Sequence, residues 1–249
     1  AQSETSFKEP FKSRDHSERI LKYFGCNLEI TDTTVKIKKS ELCAKPVIIP
    51  GDISSAAFFI VAGAIVKDSC IKIKDIGLNP TRTGIIDVMK KMGAEIKITN
   101  FRIQSGEEVG DVEVSYSDLK GIEISEEMIP LLIDEIPIIA VAATQAEGTT
   151  VIKGAEDLRH KESDRLKAVC SQLSLLGAKI EETKDGLIIE GKTKLKGGCV
   201  LESFHDHRIA MSNYIAGLVA DKEIIINDFN WVNISFPKFL EIFEGLKTG

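Results

Sequence analysis

Three stretches of the chain repeat one layout, and that repetition limits the folds open to it more than any single residue does. Each opens on an aspartate leading into small and apolar residues: Asp52-Ile53-Ser54-Ser55-Ala56-Ala57, Asp134-Glu135-Ile136-Pro137 and Asp206-His207-Arg208-Ile209-Ala210. A β-branched strand follows in each, at Cys70–Lys74, Thr149–Lys153 and Glu223–Asn227. Each then closes on an amphipathic helix expected to stop at a glycine, namely Gly93, Gly177 or Gly245. Aspartate and glycine lie about 40 residues apart every time, the length of one supersecondary unit that must stack on its neighbours to bury its apolar side. The pattern predicts an α/β domain of three repeated units, over roughly 51–98, 134–182 and 206–246.

Alternating strands are expected between the repeats at Glu95–Thr99, Asp111–Tyr116 and Gly186–Glu190, the last behind a Lys184-Asp185-Gly186 turn. An incomplete fourth copy leads the chain. It consists of a helix over Ser13–Gly25, with Ile20, Leu21 and Phe24 inward, and strands near Leu28–Ile30 and Val35–Lys38. Lys45–Pro50 has the composition of a linker. Residues 1–46 are therefore expected to be the tail of a preceding, similar domain, and 47–249 a domain of three repeats. Because the chain opens on Ala1-Gln2-Ser3 without Met, an N-terminal segment of its own chain is an expected partner.

Composition excludes several function classes. Hydrophobic residues make up 43% of 249, enough for a buried core. With 32 basic and 38 acidic side chains the net charge is −6, so no nucleic-acid surface is expected and any anion site must be a local basic pocket. Five cysteines, odd in number and without C-x-x-C spacing, read as reduced thiols in the cytoplasm, with no metal implied. The longest apolar run, Ala56–Val66, is too short to span a bilayer, and no signal peptide precedes it.

One stretch carries unusual charge: Asp157-Leu158-Arg159-His160-Lys161-Glu162-Ser163-Asp164-Arg165-Leu166. Leu166, Val169, Leu173 and Leu176 recur at helical spacing, and Gly177 ends the pattern. The cations thus sit on the loop and first turn of a helix, where the macrodipole favours acids. Local helix stability does not ask for that. Free N–H groups with cations one turn apart suit a multiply charged anion, phosphate above all. The plainer alternative is a solvated face stitched by neighbouring charges such as Glu162 and Arg165. Asp52 is expected to be a simple helix cap. If the units pack around a common axis, Asp134, the stretch Lys161–Arg165 and Arg208 share one end of the domain, with Asp134 ionised by its cationic neighbours.

Four ordered stretches resemble the 5-enolpyruvylshikimate-3-phosphate synthase family. They are Ser13-Arg14-Asp15-His16, Gly51-Asp52-Ile53-Ser54-Ser55-Ala56, Leu158-Arg159-His160-Lys161-Glu162-Ser163-Asp164-Arg165 and Asp206-His207-Arg208. The resemblance runs over essentially the whole chain and corresponds to the family's C-terminal portion. It implies the inside-out α/β barrel fold of enolpyruvyl transferases. The reaction implied is transfer of the enolpyruvyl group of phosphoenolpyruvate to the 5-hydroxyl of shikimate 3-phosphate, with phosphate released, in a cytoplasmic monomer that uses no cofactor. By the same resemblance Asp134 handles the hydroxyl proton and Glu162 is an acid near the phosphoenolpyruvate carbon. Lys161 bonds the shikimate hydroxyl region, Arg165 and Arg208 hold phosphoenolpyruvate, Arg14 lies on the shikimate-phosphate side, and Asp157 contacts a sugar-like hydroxyl.

Two features depart from the family pattern. Asn233-Ile234-Ser235-Phe236-Pro237 lacks the lysine some members carry before T-F-P, and the family's first lysine-serine-arginine cluster and S-x-Q phosphate loop have no counterpart here. Alone, the chain is expected to hold about half a site and to be inactive. The alternatives are UDP-N-acetylglucosamine enolpyruvyl transferase, against which R-x-K-E-S-D-R speaks, and a non-catalytic half-protein that binds an anion weakly.

Overall fold

The computed structural model describes residues 3–10 and 12–246. The described chain begins with β1 (Thr5–Lys8), α1 (His16–Tyr23), β2 (Leu28–Thr31) and β3 (Thr34–Ile37), forming an antiparallel sheet of order β1-β3-β2. Ile20, Leu21 and Phe24 are half-buried against it. Residues 45–50 run without regular structure.

The first repeat comprises α2 (Ile53–Ile65), β4 (Cys70–Gly77), α3 (Gly84–Lys91), β5 (Glu95–Gln104) and β6 (Glu107–Ser115), with sheet order β4-β6-β5. The second has β7 (Glu123–Ile124), α4 (Ile136–Gln145), β8 (Gly148–Ile152), α5 (Arg165–Leu175), β9 (Lys179–Glu182) and β10 (Leu187–Gly191), in the order β7-β8-β10-β9. The third has β11 (Val200–Glu202), α6 (His207–Leu218), β12 (Ile225–Asn227) and α7 (Phe239–Leu246).

In each repeat the backbone ahead of the leading helix pairs parallel with the strand after it: Gly51 with Ile76, β7 with β8, β11 with β12. Each unit is therefore a β-α-β crossover. α2 and α4 are apolar nearly all round, and α6 buries Ser212 and Asn213 along with its apolar residues, so all three belong in an interior. All of α2 except Ser55 is buried, and α2, α4 and α6 pack on one another in every pairing. Sheets and amphipathic helices lie outside them. Small residues permit the close approach: a Cβ on Gly63 would stand 2.6 Å from a Val114 methyl of β6.

Two helices end as the sequence predicts, with Gly93 (φ +98°) and Gly177 (φ +88°) in the left-handed region. Gly245 does not act as a stop, because α7 runs through it to Leu246. Aromatic packing sets the course of α7: Phe243 stacks on Phe59 at 4.2 Å, and Phe239 meets Phe58 edge-on at 6.0 Å. Strands β1, β7, β9 and β11 were not anticipated; each is only two to four residues long. No helix among the described residues is long and apolar enough to cross a membrane.

Candidate functional site

The N-terminal ends of α2, α4 and α6 meet at one end of the domain. Asp52 caps α2 by accepting the Ser54 and Ser55 N–H groups, as expected. Asp206 caps α6 through the Arg208 N–H at 2.9 Å. Asp134 caps nothing. It lies in a short 3-10 helix ahead of α4, whose first-turn N–H groups receive no side-chain cap.

Asp134 is instead ringed by cations from three parts of the chain. Nη2 of Arg14 lies 2.8 Å from Oδ2, while Nη1 of Arg165 and Nζ of Lys161 lie 3.3 and 3.7 Å from Oδ1. Arg208 of α6 donates to the Asp134 carbonyl at 3.2 Å. Burial pushes the Asp134 carboxyl up, but the Arg14 hydrogen bond and the charges of Arg208, Lys161 and Arg14 outweigh it and hold the group at about 2. The carboxylate is ionised across the physiological range.

Arg165 is the anchor of the cluster. Its side chain is 1% exposed at the first residue of α5, and it donates to Asp206 at 2.8 Å and to Glu162 at 2.6 Å. Asp206 is 0% exposed and also accepts the Ser163 hydroxyl at 3.0 Å. Burial acts against its charge, yet the Arg165 bond and charge keep it ionised below the usual carboxylate range. Lys161, Glu162, Arg14 and Arg208 are more accessible than Arg165, with side chains 34%, 50%, 41% and 14% exposed. The four cations thus face the carboxylates of Asp134, Glu162 and Asp206. The cations are concentrated at one place in a chain of net charge −6.

Some motif residues stand elsewhere. Arg159 turns away from the cluster, donating to Glu182 at 2.6 Å and to the Thr183 and Lys184 carbonyls, so it fastens the 3-10 helix Glu156–His160 to the end of β9. Asp157 is exposed on that 3-10 helix and makes no ion pair or side-chain hydrogen bond among the described residues. Asp15 accepts from Arg19 and Asn79, and His16 pairs with Glu107 at 2.7 Å, so these two join α1 to β6 and the loop after β4. The sequence reading missed Arg82, which bonds Asp52 at 2.9 Å and Ser54 at 2.7 Å, and the buried Glu135. For Arg82 the signal was weak: an isolated arginine in a loop, outside every motif.

Comparison with known proteins matches this arrangement to one family. Residues 1–243 match the family described as EPSP synthase (3-phosphoshikimate 1-carboxyvinyltransferase). A 3-phosphoshikimate 1-carboxyvinyltransferase of Petrotoga mobilis is 55% identical over 250 residues, covering 100% of this chain and 58% of that protein. One from Bacillus pumilus is 51% identical over 247 residues, 99% of this chain and 58% of its own length. A solved EPSP synthase from Acinetobacter baumannii superposes with a TM-score of 0.94 at 42% identity, over 99% of this chain and 57% of that one. An enolpyruvyl transferase from Streptomyces tendae shares the fold at a TM-score of 0.76 and 18% identity, over 99% of this chain and 56% of that one. The chain thus spans rather more than half the length of these relatives. Its three repeats, with their leading helices inside and sheets outside, are the architecture of enolpyruvyl transferases, and the chain belongs to the EPSP synthase family.

Proposed function

We propose that this chain forms the larger part of an enzyme transferring the enolpyruvyl group of phosphoenolpyruvate to the 5-hydroxyl of shikimate 3-phosphate, releasing phosphate. The observation carrying this reading is the convergence of Asp134 with Arg14, Lys161, Arg165 and Arg208 where the leading helices begin. Both substrates are multiply charged anions, and the reaction needs one proton moved off a hydroxyl and one delivered to the enol methylene. As the hydroxyl oxygen bonds C2 of the enol, C3 takes a proton and a tetrahedral ketal forms; expelling phosphate while C3 loses a proton restores the enol. Asp134 takes the hydroxyl proton. A carboxylate held at about 2 is a weak base. Substrate anions neutralise the cations that depress it, so its proton affinity rises when the site fills. Glu162, half exposed at the rim, serves the methylene carbon; Arg165 and Arg208 take phosphoenolpyruvate, Lys161 the hydroxyl region, and Arg14 the shikimate-phosphate side. Asp157 contacts a sugar-like hydroxyl from the neighbouring 3-10 helix.

In this reading residues 1–46 belong to a preceding domain, supported by their own sheet, which pairs with no other strand among the described residues. Residues 47–249 form the domain of three repeats. The opposing half of the site comes from the stretch of the relatives this chain does not span, as part of one monomer, and the odd cysteine count fits the cytoplasm. Closure of two halves around charged ligands excludes water, and one half does not suffice. A coupled phosphate-release assay is expected to detect no turnover from the 249-residue chain alone, and turnover from a fusion supplying the unspanned stretch. Robust release by the chain alone would overturn the division of the site.

In that fusion Arg208→Lys is expected to weaken phosphoenolpyruvate by about 10–100-fold, the loss of one charge-assisted hydrogen bond. A guanidinium fork binds carboxylate or phosphate at two points, whereas an ammonium is a single point. Shikimate 3-phosphate binding should change far less. Equal losses for both ligands in calorimetric titrations would count against the assignment.

A further inference from the structure

Glu135 is a buried carboxyl at this end of the domain that the anion cluster does not explain. It is 2% exposed, directly ahead of α4, where the starts of α2 and α6 come together. Its carboxyl accepts the Ser54 hydroxyl. Ser54 is itself 1% exposed and receives Nη2 of Arg82 at 2.7 Å. Oε1 of Glu135 has no hydrogen-bond partner among the described residues. The cation beside it is Nη1 of Arg208 at 3.9 Å, beyond hydrogen-bond length. A buried carboxyl oxygen aimed at an arginine without bonding it is costly to maintain for packing alone.

We propose that Glu135 is the positioning residue of Arg208: it holds the guanidinium from beneath, facing the anion site, and takes up a proton when an anion captures that guanidinium. The inference rests on the enolpyruvyl reading only in taking Arg208 as an anion-binding residue. The groups facing Glu135 are Arg208 on α6, Arg82 and Ser54 on the α2 side, and Asp134 beside it. Burial is the strongest influence and pushes the carboxyl up; the Ser54 bond and Arg208 pull it down, Asp134 pushes it up, and Arg82 pulls it down. An anion on Arg208 cancels a charge that favours the ionised form, so the carboxyl holds a proton more tightly. One proton enters from solvent as one anion binds, and no covalent bond changes. An anion raises the proton affinity of Asp134 as well, but a carboxyl held at about 2 by directly contacting cations stays ionised near neutral pH.

Sulfate is the probe, since it has no proton to exchange near neutral pH. Calorimetric titration of the 249-residue chain with sodium sulfate, in two buffers of different ionisation heat near neutral pH, counts the protons taken up. The wild-type chain is expected to take up measurably more protons per sulfate than Glu135→Gln, whose amide cannot titrate. Glu135→Ala, which leaves Arg208 unsupported, should bind sulfate about tenfold more weakly, and Gln should restore most of that loss. His207 titrates in all three proteins and drops out of the comparison. Equal proton uptake in wild type and Glu135→Gln, or unweakened binding by Glu135→Ala, would overturn the proposal. If a variant fails to fold, infrared difference spectra of the wild-type chain decide: sulfate should raise a protonated-carboxyl band, and no band means Glu135 is inert. Linked proton uptake without turnover by the fusion would sink the enolpyruvyl reading instead, and turnover without linked uptake would sink this one alone.

Discussion

Asp134→Asn is expected to lower kcat of the fusion by about 10²–10⁴-fold, the usual contribution of a positioned general base. The amide keeps the shape and accepts the same hydroxyl hydrogen bond, so shikimate 3-phosphate should still bind. Sequence alone suggests a variant whose melting point barely moves, because Asn caps a helix about as well as Asp. The structure removes the premise: Asp134 caps nothing and balances Arg14, Lys161 and Arg165. Lowering its carboxyl from 3.8 to about 2 corresponds to stabilisation on the order of 2 kcal/mol. Made in the 249-residue chain, the same change should therefore lower the melting point by about 4–8 °C at neutral pH. The sign with pH follows from the depressed folded value. Stability from Asp134 is present above the ordinary carboxylate range near about 4 and disappears as pH falls through about 2. The gap between wild type and variant should be constant from neutral pH to about 5 and close below about 4. Retention of more than a tenth of kcat would remove Asp134 as the base, and a pH-independent gap would mean its charge does not stabilise the fold.

The repeats were legible because each leading helix is built largely of small and apolar residues, and helices of that kind have nowhere to go but the interior. The charged loop was legible because cations at a helix start run against the macrodipole. What the sequence hid was pairing. Arg159 and Arg165 look alike in the motif, yet one closes onto β9 and the other is buried between α5 and α6. The turn between them decides which way each points, and no periodicity encodes it. Glu135 was hidden for a related reason: an acid beside Asp134 at a helix start reads as solvated until the neighbouring helices are in place. Asp52, Asp134 and Asp206 open equivalent repeats, but two cap their helices and one does not. The 3-10 helix Ile133–Glu135 sets Asp134 back from the first turn of α4 and points it at the cations.

The largest stability effect is expected at Arg165, through Asp206 rather than Glu162. Three carboxylates bond the guanidinium, Asp206 at 2.8 Å, Glu162 at 2.6 Å and Asp134 at 3.3 Å. Asp134 keeps Arg14 and Lys161 when Arg165 is lost, and distance does not separate the other two. Burial does. Glu162 is 50% exposed, and an ion pair at that exposure contributes about 0–1 kcal/mol. Asp206 is 0% exposed, and without Arg165 its charge would keep only the Ser163 hydroxyl and the Arg208 N–H. Arg165→Met fills similar space with an unbranched chain, so the change isolates the charge. Breaking a buried pair from one side costs about 3–5 kcal/mol, because the remaining ion stays uncompensated. The melting point should fall by about 6–20 °C, and the urea midpoint should drop with an unchanged slope. Adding Asp206→Asn removes the stranded charge while keeping an acceptor for the α6 cap and for Ser163. The double variant should therefore be more stable than Arg165→Met alone, against the usual additivity of two destabilising changes. If Arg165→Met costs less than about 1 kcal/mol, the bridge is no more than a surface pair. If Asp206→Asn fails to restore stability in that background, the loss comes from packing around α5 and not from a stranded carboxylate.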